Sequence, residues 1–262
     1  MKQENDEKYN VKAATRCFEI LDYAANQCGP VSIQDVCKAL DTNSNMAFRL
    51  LATLKNSGYM TKDDNTNLYS ISLKSLKLSR RALQSLEIRK LTMPYLELIW
   101  NKYPKANVNM GVFYDGEILI LDRIDTVSIP RTYFTPGRQL PFHCTGLGKV
   151  LTCNLPEEDI DNLIKEKGLT QYTTNTITSR DALLRELAKV KAEGVGRDRN
   201  EFINNDNCSA VPVVDGHGIT KAAISVSALT NNMSVEEVES AIPLLKDIAG
   251  RISYMMGYNS GI

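Results

Sequence analysis

Along the first hundred positions, apolar residues recur at helical spacing in blocks that turn residues separate. From Val11, apolar or small residues fall at Ala14, Cys17, Phe18, Leu21, Ala24 and Ala25, and Gly29-Pro30 ends the run. This spacing predicts a helix with one buried side. Ser32 with Asp35 three residues on has the form of a capping box ahead of Ile33, Val36, Cys37 and Leu40, which predicts a second, shorter helix ending near Asp41. After the turn "DTN", Ala47, Leu50, Leu51 and Leu54 line one side of a third helix that Gly58 stops. "YMTKDDNTNLYSISL" then places β-forming residues on both sides of a polar tip and predicts a hairpin.

From Lys74 to about Tyr103 the helical pattern resumes through Leu76, Leu78, Leu83, Leu86, Ile88 and Leu91, with Pro94 predicting a break or kink. Period-two segments follow: "ANVNMGVFY", an Asp115-Gly116 turn, "EILILDRID", then "SIPRTYF". "TGLGKVLTCNL", "PEEDIDNLIKEKG" and "SRDALLRELAKVKAEG" predict helices, the last capped by Gly194. "CSAVPVVDGHGITKAAISVSAL" predicts two strands around Asp215-Gly216-His217-Gly218. A final helix is expected from Ser234 to about Tyr258.

The pattern is therefore α+β in two parts. A helical front with a hairpin occupies residues 8–72, a connector helix spans 73–91, and an α/β unit spans 92–262, in keeping with a chain of 262 residues. Residues 1–91 carry 14 Lys/Arg against 10 Asp/Glu and the remainder 17 against 21, so a neutral chain divides into a weakly basic front and a weakly acidic rear. No stretch approaches the roughly 18 apolar residues of a membrane span, and a cytoplasmic protein is expected. The six cysteines, at 17, 28, 37, 144, 153 and 208, show no Cys-x-x-Cys pair, so reduced thiols are expected.

The third helix raises a chemical question. Opposite its apolar side lie Asn45, Arg49, Ala52 and Asn56, with Thr53 beside them: a slim polar face nearly free of acids. Such a face suits the DNA major groove, where Asn pairs with adenine and Arg with guanine. A merely solvated helix more typically carries Glu and Lys. With the helix before it and the hairpin after it, the arrangement reads as a winged helix-turn-helix, with Lys62 as the phosphate contact of the wing.

"VSIQDVCKALDTNSNMAFRLLATLKNSGYM" resembles the helix-turn-helix of the IclR family of bacterial transcriptional regulators. "PGRQLPFHCTGLGKVLTCNL" resembles the start of that family's effector domain, and "EGVGRDRNEF" and "CSAVPVVDGHGITKAAISVSAL" resemble its later blocks in order. The resemblance implies an N-terminal winged helix-turn-helix, a connector helix and a C-terminal GAF-like effector-binding domain. It also implies a homodimer or dimer of dimers on a palindromic or near-palindromic operator, and it favours a repressor, with an activator left open. The implied DNA contacts are Ser32, Asn43, Ser44, Asn45, Met46, Phe48, Arg49, Thr53 and Lys62. The chain departs from the family pattern where Asn45-Met46 replaces a Ser-Thr pair and Phe48 replaces a polar residue.

The implied partner of the second domain is a small organic acid. Thr145 as N-cap with the amides of Gly146 and Leu147 offers an anion hydrogen bonds, and the helix dipole adds attraction. The family pattern carries over to Asp198, Cys208, Ser225 and Ser227, and the two serines share a strand face. Arg199-Asn200-Glu201 departs from the acids common at that point.

The competing reading is a small-molecule-binding cytosolic enzyme or a metal-dependent sensor without DNA binding. A thiol hydrolase needs an imidazole beside its sulfur, and only His143 and His217 exist. His143 and Cys144, if on a strand, point to opposite faces. Cys208, Asp198 and a histidine are suitable zinc-ligand types without a zinc spacing, and "TGLGKV" is no P-loop. No catalytic residue, metal or cofactor is expected.

Overall fold

The computed structural model describes residues 10–27, 29–84, 86–130, 132 and 134–258. It divides into two compact units, Met1–Ser85 and Leu86–Ile262, with the division inside the connector expected at 73–91. The start of the chain, Cys28 and parts of "SIPRTYF" lie outside the described residues.

The first unit contains α1 (Lys12–Ala25), α2 (Ile33–Ala39), α3 (Ser44–Asn56), β1 (Met60–Lys62), β2 (Tyr69–Ile71) and α4 (Ser75–Gln84). The capping box of α2 forms: the Ser32 side chain accepts from the Asp35 amide while the Asp35 carboxylate accepts from the Ser32 amide. Ala47, Leu50, Leu51 and Leu54 pack against Ile20, Val31, Val36, Leu40, Met60 and Tyr69 in one core. Strands β1 and β2 pair antiparallel, Met60 opposite Ile71. Their tip is held by Asp63, whose carboxylate accepts from the Asn65 and Thr66 amides.

Helix α1 corrects part of the expectation. Ile20, absent from the expected inner face, is its fully buried residue, whereas Val11 and Phe18 are 68% and 66% exposed. The apolar face is wider than the side that α2 and α3 cover, and periodicity gives only its width. Helix α4 has no buried residue, and Leu76 and Leu78 stay exposed.

The expected long helix divides near residue 85 instead of at Pro94, which lies inside α5 (Glu87–Lys102). One missing backbone donor is tolerated there because α5 is anchored by buried Thr92, Leu96 and Ile99, and the Thr92 hydroxyl bonds the Ile88 carbonyl. The second unit continues with β3 (Asn107–Tyr114), β4 (Glu117–Ile124), β5 (Gln139–Leu140), α6 (Gly146–Thr152), α7 (Glu157–Lys167) and α8 (Arg180–Glu193). It closes with β6 (Gly196–Arg199), β7 (Asp206–Val214), β8 (Thr220–Leu229), α9 (Val235–Glu239) and α10 (Ile242–Met255).

The six strands form one antiparallel sheet in the order β5-β4-β3-β8-β7-β6. The described residues of "SIPRTYF" are not in a strand; β4 takes β5 as its edge partner, Ile118 opposite Leu140. Strand β6, which the pattern did not predict, pairs Asp198 with Cys208. The expected terminal helix is two helices, because Pro243 lacks an N–H and starts α10. Gly194 caps α8 in the left-handed conformation at φ 66°, as expected. Among the described residues no helix is long and apolar enough to cross a membrane.

Candidate nucleic-acid interface and ligand cavity

The polar face of α3 is open. Asn43, Ser44, Asn45, Met46 and Arg49 line a shallow exposed concavity of about 390 Å³, and Phe48, Thr53 and Asn56 lie exposed on the same helix. Asn43 is also the N-cap, its Oδ1 accepting from the Met46 amide at 2.9 Å. Thr53 donates to the Arg49 carbonyl. The Ser32 hydroxyl is engaged in its own cap, donating to Asp35 Oδ2 at 2.7 Å. Lys62 is half-buried on β1. Among the described residues Arg49 has no ion pair, so its guanidinium is available to a partner, and α3 has no acid in its first turn.

In the second unit the register assembles a polar wall. Asp198, Cys208, Ser227 and Asn107 lie in one row across β6, β7, β8 and β3; Ala210, Ser225, Asn109 and Arg123 lie in the next. Rows two residues apart share a sheet face. The start of α6 lies against this face. A side chain at Gly146 would come within 3.0 Å of the Gly196 carbonyl and 3.1 Å of Cys208 Sγ, so glycine suits this close approach.

Gly146, Leu147, Asp198, Cys208, Ser225 and Ser227, drawn from four separate stretches of chain, line one cavity with Thr145, Asn109, Asp206, Leu140, Phe134 and Phe202. Its volume is about 20 Å³, room for about one water. Phe134 and Phe202 stand 6.0 Å apart on its lining.

The wall is hydrogen-bonded through its length. Buried Arg123 donates to Asn109 Oδ1 at 2.8 Å, to the Thr132 carbonyl at 2.7 Å and to Asp125 at 2.6 Å. Asn109 Nδ2 donates to Ser225 and Ser227. Burial raises the Cys208 thiol pKa, and Ser225 and the Gly146 amide counter only part of the rise. The Thr145 hydroxyl caps α6 by accepting from Gly148 N.

Two carboxyls sit in this wall. Asp198 is held well above the usual carboxylate range by burial, although its Oδ1 accepts from the Glu201 amide at 2.7 Å. Burial also pushes Asp206 up to about 7. Behind them, fully buried Lys149 donates to Glu201 Oε1 at 2.5 Å and to the Arg197 carbonyl at 2.7 Å, tying α6 to the segment after β6. Sequence reasoning missed Asn109, Arg123, Asp206 and the aromatic pair, because cross-strand neighbours depend on register. His143 is buried and bonds the Thr170 carbonyl. Among the described residues no group of three or more His, Cys, Asp or Glu side chains is placed to hold a metal.

A helix-turn-helix with a hairpin, followed by a unit built on an antiparallel sheet, defines a DNA-binding transcriptional regulator with a second domain. Residues 13–64 match the family described as "IclR helix-turn-helix domain", and residues 80–254 match "Bacterial transcriptional regulator IclR C-terminal". The chain belongs to the IclR family of bacterial transcriptional regulators.

It is 30% identical to the HTH-type transcriptional regulator KdgR of Escherichia coli (strain K12), over 95% of this chain and 94% of that protein. It is 26% identical to the HTH-type transcriptional repressor AllR of the same organism, over 94% and 90%. Its fold matches that of an IclR homologue from Microbacterium hydrocarbonoxydans complexed with 4-hydroxybenzoate. That match has a TM-score of 0.76 and 19% identity, and covers 93% of this chain and 98% of the other.

Proposed function

We propose that this protein binds operator DNA through residues 8–72 and that a small organic acid, held by residues 92–262, modulates the binding. One observation carries the effector half: six residues chosen from separate sequence blocks line a single buried, polar-walled cavity. Helix α3 enters the major groove with Asn45 and Arg49 toward base edges, and Lys62 meets a phosphate. The exposed leucines of α4 and Phe18 of α1 suit pairing with a second copy, with the connector at 73–91 setting the spacing of two recognition helices.

The cavity in this state admits about one water, so an effector needs the lining, which includes Phe134 and Phe202, to move apart, and it stabilises the opened arrangement. Its carboxylate meets the start of α6, and its other polar groups meet Ser225 and Ser227. Named relatives include a repressor, and a solved neighbour carries an aromatic acid, which favours repression relieved by an acid.

The test is a gel-shift titration of the full chain on the DNA upstream of its own gene, with and without small carboxylates of aromatic, keto and sugar-derived type. The reading predicts salt-sensitive, sequence-specific shifts that at least one acid alters. Shifts that no acid changes remove the effector, and turnover of an acid by the protein alone restores the enzyme reading.

A further inference from the structure

Asp206 stands two residues before Cys208 on β7 and so shares its sheet face. It is 4% exposed, lines the cavity, and its Oδ1 has no hydrogen-bond partner among the described residues. An unsatisfied buried carboxylate oxygen at the wall of a small-molecule cavity lacks the partner that its desolvation demands.

The charged and titratable groups around it do not supply that partner. Asp198, from β6, repels it, and the Asp198 Oδ1 is engaged by the Glu201 amide. Cys208, on the same strand, is a neutral thiol raised by burial. Arg123, from β4, attracts it, but bonds Asn109, Thr132 and Asp125. Lys149, from α6, is committed to Glu201, Glu186 and the Arg197 carbonyl. The strand β8 contributes only uncharged Ser225 and Ser227. A second anion entering this cavity faces two carboxyls at close range, and like charges in a desolvated site do not all stay ionised.

We infer that an anionic effector enters this cavity together with one proton, taken from solvent onto Asp206, whose new O–H donates to a carboxylate oxygen of the effector. The inference rests on the effector reading above and adds to it a dependence on pH.

The sign follows from linkage. In the empty cavity Asp206 loses its proton near 7, and an adjacent anion raises that midpoint further. Below about pH 6 the proton is already present, so affinity is flat and uptake small. Above about pH 7 affinity falls by up to about tenfold per pH unit, and uptake approaches one proton.

The test is titration calorimetry on the full chain with sodium gluconate, pyruvate and 4-hydroxybenzoate at about pH 6, 7 and 8, in HEPES and in Tris, which differ in ionisation enthalpy. For at least one acid, the expected result is a buffer-dependent heat at pH 8 that shrinks at pH 6, and a loss of affinity of up to about fivefold between pH 7 and 8. Asp206→Asn, uncharged with an N–H at that place, should bind the same acid with flat affinity and no buffer-dependent heat.

Binding without proton uptake at pH 8 overturns the inference and leaves the effector reading standing. Uptake that survives in Asp206→Asn and disappears in Asp198→Asn also overturns it, by placing the proton on the neighbour. No binding of any of the three acids, to either protein at any pH, removes the carboxylate reading itself. Should Asp206→Asn fail to fold, the carboxyl ¹³C titration of aspartates in the native chain reads the same assignment. An Asp206 midpoint that the bound acid does not raise sinks it.

Discussion

Asn109 on β3 lies directly opposite Ser225 on β8, and its side-chain amide donates to Ser225 Oγ at 3.2 Å and to Ser227 Oγ at 3.3 Å. Arg123 fixes the amide's orientation by bonding its oxygen, so both serines accept from the amide nitrogen and line the cavity. Replacing both serines with alanine leaves the buried Asn109 donors without these acceptors. The double variant should lose about 1–3 kcal/mol of stability in its second unit. It should also respond weakly to an effector while still binding DNA. Calorimetry showing native effector affinity in the double variant removes the serines from the site.

On α3, Arg49→Ala should weaken specific operator binding by about 1–3 kcal/mol, with relaxed preference at one base position. The side chain is exposed and its loss leaves no cavity in the core, so thermal unfolding should be unchanged. A gel shift with native affinity takes Arg49 off the reading face. Lys62→Ala, by contrast, should weaken binding to all sequences alike and reduce the salt slope by about one.

Lys149→Met should destabilise the second unit by about 3–5 kcal/mol, because it leaves Glu201 buried without its cation. The chain has one tryptophan, Trp100, and it lies on α5 of that unit, so its fluorescence reports urea unfolding there. The pair Lys149→Met with Glu201→Gln should cost less than the sum of the two single changes. Strict additivity would show that the ion pair contributes no coupling.

Stability should also depend on Asp206 in a particular direction. Its folded midpoint of about 7 lies above the unfolded value of about 3.9, so the folded state holds the proton more tightly. The contribution is fully present below about pH 4, is lost as pH rises toward about 7, and is constant beyond. Asp206→Asn should therefore match the native chain near pH 4 and exceed it at pH 8, by up to about 4 kcal/mol. A native advantage at pH 8, read from Trp100 during urea unfolding, means that the carboxylate has a stabilising partner when ionised.

Much of the molecule was legible one segment at a time. The capping box at Ser32 and Asp35, the inner face of α3, the Asp63 tip and the Gly194 cap depend on residues a few positions apart, and short-range signals encode them directly. The block resemblance brought in Gly146, Asp198, Cys208, Ser225 and Ser227. It gave no hint of Asn109, Arg123 or Asp206, whose roles come from strands lying beside one another.

By itself, then, the sequence determined the order and kind of most elements, the polar face of α3 and the family. The tertiary structure decided which side of α1 meets the core, where the long helix divides, that Gly196–Arg199 is a strand, and that two acids and an asparagine wall one small cavity. The reason is the range of the interactions. Helical periodicity and caps are set within one or two turns of chain, whereas a sheet row is fixed by register among strands up to about a hundred residues apart, where a slip of one position turns every side chain to the opposite face.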